Sequence, residues 1–189
     1  AQALVQDLLC GDDARAEQAA LALGELGDAA FDCLRSVCHN ASADHRWWAA
    51  RALAQLHTID AQQTLIDLLT DPDADVRACA AFALGQMQTA DAIDALAARL
   101  SDSSVFVSAM AADALTRIGR PAVPVLIARL RQGSSLERAR AAKALLGILD
   151  SRSIPALIAA LDDDSPVVQH YAAEALTRLG VGTILIKPA

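Results

Sequence analysis

The sequence predicts an all-α solenoid of about six helix pairs, each 30 or 31 residues long. Three observations predict it. The phrase Ala-Ala-x-Ala-Leu-x-x-(Leu, Ile or Met) recurs six times, with Ala pairs at Ala19-Ala20, Ala49-Ala50, Ala80-Ala81, Ala111-Ala112, Ala141-Ala142 and Ala172-Ala173. A fixed period of this length is the mark of a repeat array. A second apolar pattern with the same period lies between successive phrases, so each repeat holds two helices whose apolar stripes bury one another and those of the next repeat. Finally, Ala and Leu dominate while aromatics are only 3%, and strand-forming runs are almost absent.

The elements follow in order. Leu4 and Leu8 match the first-helix columns, so the chain reads as opening inside a repeat whose partner precedes it, with residues 1–10 as a partial first repeat. The first phrase adds Ala22, Leu23 and Leu26, and Gly27 follows where a left-handed terminating residue is expected. Phe31, Leu34 and Cys38, at spacings of three and four, form one helical face ahead of the second phrase with Ala52, Leu53 and Leu56. Gln62, Leu65 and Leu69 repeat that face. Asp71-Pro72 then places a capping residue before a proline, a helix-start signal for the phrase with Ala83, Leu84 and Met87. Ile93, Leu96 and Leu100 precede Ala114, Leu115 and Ile118, and Gly119 ends that helix. Pro121, Pro124 and Pro155 fall in the opening turns of first helices, where a missing amide donor is tolerated. Pro124 lies deepest, so the helix of Val123, Leu126 and Leu130 starts late or bends. Ser134-Ser135-Leu136-Glu137 offers a capping box before Ala144, Leu145 and Ile148. Ile154, Leu157 and Leu161 make the last first helix. Ser165-Pro166 starts the helix of Ala175, Leu176 and Leu179, and Gly180 closes it.

Residues 1–189 therefore form one array, with 181–189 a partial last repeat or tail that begins apolar at Val181. Neither end carries the polar capping repeat a solenoid usually needs, so the array is expected to continue beyond this chain or to cap itself by association. The chain begins at Ala1 rather than Met, so further N-terminal sequence is expected, a removed signal peptide included.

Charge narrows the partners. A net charge of −7 argues against nucleic acid, which needs a basic face, and against docking on anionic lipid. No apolar run is long enough to span a membrane. Cys10, Cys33, Cys38 and Cys79 lack CxxC spacing and read as reduced thiols of a cytoplasmic protein.

At this point the residues resemble a known family. The segment Asp73-Ala74-Asp75-Val76-Arg77-Ala78-Cys79-Ala80-Ala81-Phe82-Ala83-Leu84-Gly85 is similar to the short HEAT-type repeats of the phycobilisome-lyase-like class, and the resemblance covers roughly residues 1 to 180. It implies a right-handed α-solenoid of HEAT-like helix pairs, with the Ala-Ala helix on the concave side and flanking Asp and Arg residues tying repeats together. Arg46 and Arg77 match the family Arg, whereas Ala16, Ser108, Arg138 and Gln169 stand elsewhere in the column, so the ladder of ion pairs is expected to be incomplete. The class includes scaffolds, bilin lyases, a metal-dependent hydroxylase and engineered binders. The hydroxylases bind metal through His-Glu dipeptides, and none of His39, His45, His57 or His170 precedes a Glu.

Positions that vary while their neighbours repeat are the candidate site. Two residues stand before each Ala pair and one interrupts each phrase: Glu17, Gln18 and Leu21; Trp47, Trp48 and Arg51; Ala78, Cys79 and Phe82; Ala109, Met110 and Asp113; Ala139, Arg140 and Lys143; His170, Tyr171 and Glu174. Trp47, Trp48, Phe82 and Tyr171 occupy such sites, with Phe106 just ahead of them and only Phe31 in a core column. Aromatics with Met110 and Leu21 on one concave face make an apolar patch of the kind that marks an interaction surface. The mixed signs of Arg51, Asp113, Arg140, Lys143 and Glu174 favour a protein or peptide over a polyanion. The plainer reading is that the Trp pair fills space between repeats and the charges are a solvated face.

Enzymatic readings are weaker. Cys33, Cys38, His39 and His45 match no zinc spacing, and no His sits at a helical offset from Cys79 for a nucleophile pair. Asp162-Asp163-Asp164 reads as helix capping. The expectation is a non-enzymatic module without cofactor or metal, binding a protein, peptide, second solenoid or second copy through Trp47, Trp48, Arg51, Phe82, Phe106, Met110, Asp113, Arg140, Lys143, Tyr171 and Glu174. The alternative is a bilin-lyase-like protein that stacks a tetrapyrrole in the same aromatic groove.

Overall fold

The computed structural model describes residues 1–39 and 42–181. The apolar tail beyond Val181 lies outside them. Among the described residues there are twelve α-helices, short 3₁₀ turns and no strand, and no helix is long and apolar enough to cross a membrane. The fold is an α-solenoid of HEAT-like helix pairs. The chain divides into two compact units, Ala1–Ala92 and Ile93–Ala189.

The first unit comprises α1 (Gln2–Leu8), α2 (Asp13–Glu25), α3 (Asp28–Val37), α4 (Ala43–Leu53), α5 (Ile59–Leu68) and α6 (Ala74–Met87). Helix α1 packs on α2, α3 on α4, and α5 on α6, while α2, α4 and α6 touch in series as a second layer. The second unit repeats the plan with α7 (Ile93–Ala98), α8 (Val105–Ile118), α9 (Val123–Gln132), α10 (Ser135–Ile148), α11 (Ile154–Ala159) and α12 (Pro166–Arg178). Here α8, α10 and α12 form the second layer.

The repeated columns build both cores. Leu23, Leu53, Leu84, Leu115, Leu145 and Leu176 are all at most 1% exposed. Burying one such side chain contributes about 1.5–3 kcal/mol. The Ala columns beside them are buried apart from Ala22 and Ala173 and keep neighbouring helices close. The closing column is less regular: Leu56 and Ile118 are buried, but Leu26 is exposed.

The end of every second helix obeys one backbone rule. The residue eight places beyond the first Ala of each pair has positive φ: Gly27 at 57°, His57 at 52°, Gln88 at 52°, Gly119 at 79°, Leu149 at 54° and Gly180 at 79°. The three glycines fall where the sequence expects a left-handed terminator. In the other three copies His, Gln and Leu also hold positive φ, at a cost of roughly 1–2 kcal/mol each, but Gln88 and Leu149 are left-handed helical, with ψ of 40° and 49°, where Gly27 and Gly119 have ψ of −134°. The repeat geometry demands positive φ there whether or not the sequence supplies Gly.

The helix starts agree less completely. Ser134 and Glu137 form the expected capping box, and Ser165 is the N-cap before Pro166. Helix α9 begins at Val123, with Pro124 in its first turn after a 3₁₀ turn at 120–122, which is the late start its prolines predict. Asp71-Pro72 is different. The N-cap of α6 is Asp73, which accepts from the amides of Asp75 and Val76, and Asp71 holds the loop before it.

That loop aspartate is the anchor of the inter-repeat ladder. Asp71 accepts the Asp73 amide at 2.9 Å and a bidentate pair of bonds from Arg46, both at 2.8 Å. Asp163 does the same with the Ser165 amide and with Arg138, at 2.7 and 3.1 Å. Arg138 is therefore a ladder residue, a correction to its reading as a break in the column. Asp102 accepts the Ser104 amide in the same register. Burial alone would raise the Asp71 and Asp163 carboxyls. The arginine and amide donors outweigh it and hold both below the usual carboxylate range.

Candidate functional site

In the first unit the varying residues gather around two cavities. Trp47 and Trp48 are consecutive on α4, so their side chains leave the helix about 100° apart. Their rings meet edge to face, with centroids 4.8 Å apart and planes at 90°. Both are half-buried and line a cavity of about 470 Å³ with Leu8, Leu9, Gly11, Asp13, Asp44 and His45. A smaller cavity of about 270 Å³ lies between α4 and α6, walled by Arg51, Gln55, His57, Cys79 and Phe82 among others. Phe82 is 38% exposed at its edge. Arg51 reaches back to Glu17 on α2 at 2.6 Å, a partly exposed pair worth roughly 0–1 kcal/mol.

Cys79 is buried, donates to the Trp47 carbonyl at 3.8 Å, and burial pushes its thiol up to about 12. Cys38, in a core Leu column, is likewise raised to about 12 by burial. Thiols held this far above neutrality are almost wholly protonated and make poor nucleophiles.

In the second unit the varying residues lie on α8, α10 and α12. Phe106 is 57% exposed, while Met110 and Tyr171 are half-buried. Lys143 on α10 pairs with Asp113 on α8 at 3.7 Å. Glu174 takes Arg178 at 2.6 Å and faces His170 at 3.8 Å, and the His170 ring lies 5.6 Å from Tyr171. Arg140 donates to the Val105 carbonyl at 3.4 Å, and its Nε is buried without a partner among the described residues.

Two groups of residues escape the sequence reading. Asp13, Asp44 and His45 share the Trp cavity. Val105, Leu136 and Val167 stay exposed at the starts of α8, α10 and α12, as Phe106 does. For Asp44, Leu136 and Val167 the signal lies five residues before each Ala pair, where the column runs Ala14, Asp44, Asp75, then Phe106, Leu136, Val167. It is small or acidic in the first unit and large and apolar in the second, a contrast hidden when attention stays on the three positions nearest the phrase.

The HEAT-repeat family model matches residues 1–78, 62–145 and 123–183. The chain belongs to the HEAT-repeat family. No curated protein matches it. Among solved structures, an engineered protein is 26% identical across 93% of this chain and 96% of its own, with a TM-score of 0.55. The complex of CpcE and CpcF of phycocyanin lyase from Nostoc sp. PCC7120 is 24% identical across 94% of this chain and 76% of that one, with a TM-score of 0.54. A second engineered protein is 24% identical over 95% and 96%, with a TM-score of 0.52. These are likenesses of fold. As HEAT repeats, the second helices of each unit carry the non-repeating side chains on a common layer, an arrangement suited to a scaffold or interaction role.

Proposed function

We propose that this HEAT-repeat chain is a non-enzymatic interaction scaffold that holds protein segments on the second-helix layer of each unit. One observation carries the reading. The repeated Ala and Leu positions are almost completely buried, while the large side chains at the non-repeating positions Trp47, Trp48, Phe82, Phe106 and Tyr171 keep part of their surface in water. A side chain needed only for packing would be sealed as its neighbours are. Partly open aromatics flanked by charges of both signs are the composition of binding hot spots. The four cysteines are all unpaired, which fits a reducing compartment, and the scaffold is assigned to the cytoplasm on that ground.

The test is selection of a randomised displayed-peptide library on the intact chain. Enriched peptides are expected to lose binding to a Trp47→Ala, Phe82→Ala double variant that keeps its helical circular dichroism. A library that yields no enriched peptide, or peptides that bind the double variant unchanged, overturns the reading. If the double variant unfolds, Asp44→Asn and Phe82→Leu separately replace it.

A further inference from the structure

We infer that the Trp47–Trp48 cavity is a receptor for a cationic side chain, an arginine guanidinium or lysine ammonium presented by a bound peptide; this rests on the scaffold reading and names the chemistry of its ligand. The cavity has about 470 Å³ of space, ample for one long side chain. Two indole rings at right angles form part of its wall, and indole is the aromatic surface that attracts cations most strongly. Asp13 and Asp44 complete the wall, and neither carboxylate has an ion-pair or hydrogen-bond partner among the described residues. By contrast Glu17 is paired with Arg51, and the ladder carboxylate Asp71 with Arg46. The Nδ1 atom of His45, also on the wall, is buried and has no hydrogen-bond partner among the described residues.

The electrostatics point the same way. Asp13 and Asp44 stand in the first turns of α2 and α4, where each helix end contributes about half a positive charge. Two full negative charges against two halves leave the cavity negative. The surroundings deepen this, because residues 1–92 hold fourteen Asp and Glu against five Arg, whereas residues 93–189 hold nine against eleven Lys and Arg. A metal ion is the wrong occupant, since among the described residues no group of three or more His, Cys, Asp and Glu is placed to hold one. Aromatic walls with two unpaired carboxylates suit an organic cation, which stacks on indole and donates to carboxylate at once.

The experiment uses the fact that Trp47 and Trp48 are the chain's two tryptophans, so intrinsic fluorescence reads the cavity directly. The full chain is titrated with acetylated, amidated hexa-arginine, hexalysine and hexaglutamate peptides. The arginine or lysine peptide is expected to change the emission saturably, whichever binds tighter identifying the preferred group, and hexaglutamate is expected to do nothing. An Asp13→Asn, Asp44→Asn variant should bind the basic peptide about tenfold more weakly. The control variant Asp28→Asn, Asp60→Asn, which removes the same charge from the first turns of α3 and α5, should bind within about twofold of the native chain. Equal losses in the two variants would show a diffuse attraction to the acidic half and overturn the assignment, as would no emission change with either basic peptide. Library-selected peptides free of Arg and Lys, with no hexa-arginine binding, would overturn the cavity assignment while leaving the scaffold reading intact. No enrichment at all would end both.

Discussion

At the scale of single residues, the ladder arginines and aspartates show how a polar group earns a place in an apolar stack. Asp71 is buried, an unfavourable place for a carboxylate, and persists there because Arg46 and the Asp73 amide supply matched donors. Its folded-state pKa lies below the unfolded one. The stabilisation is therefore complete above the unfolded carboxylate pKa of about 4 and is lost as pH falls through the lower folded value. Asp71→Asn is expected to destabilise the chain by about 1–3 kcal/mol near neutral pH, because it removes the charge that the half-buried Arg46 meets at 2.8 Å. That deficit should shrink steadily as urea melts are repeated at more acid pH. A deficit of constant size across the series would show that the charge of Asp71 is immaterial.

At the scale of elements, the six helix ends make the sharpest case. Leu149 holds φ at 54° and ψ at 49°, left-handed helical, at a position where three other copies, Gly27, Gly119 and Gly180, carry no Cβ. Relief of about 1–2 kcal/mol of left-handed strain exceeds the extra entropy that Gly loses on folding, roughly 0.5–1 kcal/mol. Leu149→Gly should raise stability by about 0.5–1 kcal/mol, whereas Leu149→Ala should not; thermal melts of the two variants decide the matter. Helix contacts in the second layer are equally specific. A Cβ added at Gly147 on α10 would stand 2.6 Å from Cγ2 of Thr116 on α8, and one at Gly24 on α2 would stand 2.5 Å from Cβ of Gln55. In both pairs a glycine lets a larger neighbour pass. Gly147→Ala gains about 1 kcal/mol of helix propensity but incurs about 1–3 kcal/mol of overpacking against a stiff β-branched side chain. The net expectation is a loss, and adding Thr116→Ala should reverse it in a double-mutant cycle. Additive effects would mean the two residues do not touch.

At the scale of the whole molecule, each helix pair leans chiefly on its neighbours, so damage should stay local. Leu145→Ala empties a fully buried site on α10 and is expected to cost about 2–5 kcal/mol. Amide exchange should quicken most in α8, α9, α10 and α12 and much less in α2 and α4. A uniform rise along the chain would instead indicate a single cooperative unit. The charge asymmetry between residues 1–92 and 93–189 belongs to this scale too. It assigns opposite tendencies to the two units and makes the first the better receptor for a basic ligand.

Much of this was legible without coordinates. The period of 30 or 31 residues determined the solenoid, the two helices per repeat, the buried Leu column and the identity of the non-repeating aromatics, because burial in a repeat array is periodic and the sequence displays its period openly. Tertiary structure alone decided the rest. It made Arg138 a ladder residue through Asp163, set the cap of α6 at Asp73, and imposed positive φ on His57, Gln88 and Leu149. It also joined Trp47 and Trp48 to Asp13, a residue on a different helix with no regular spacing from them. The physical reason is common to all four. Periodicity reports which face of a helix is dry, but a hydrogen bond, a forced turn or a shared cavity depends on where two separate segments meet in space.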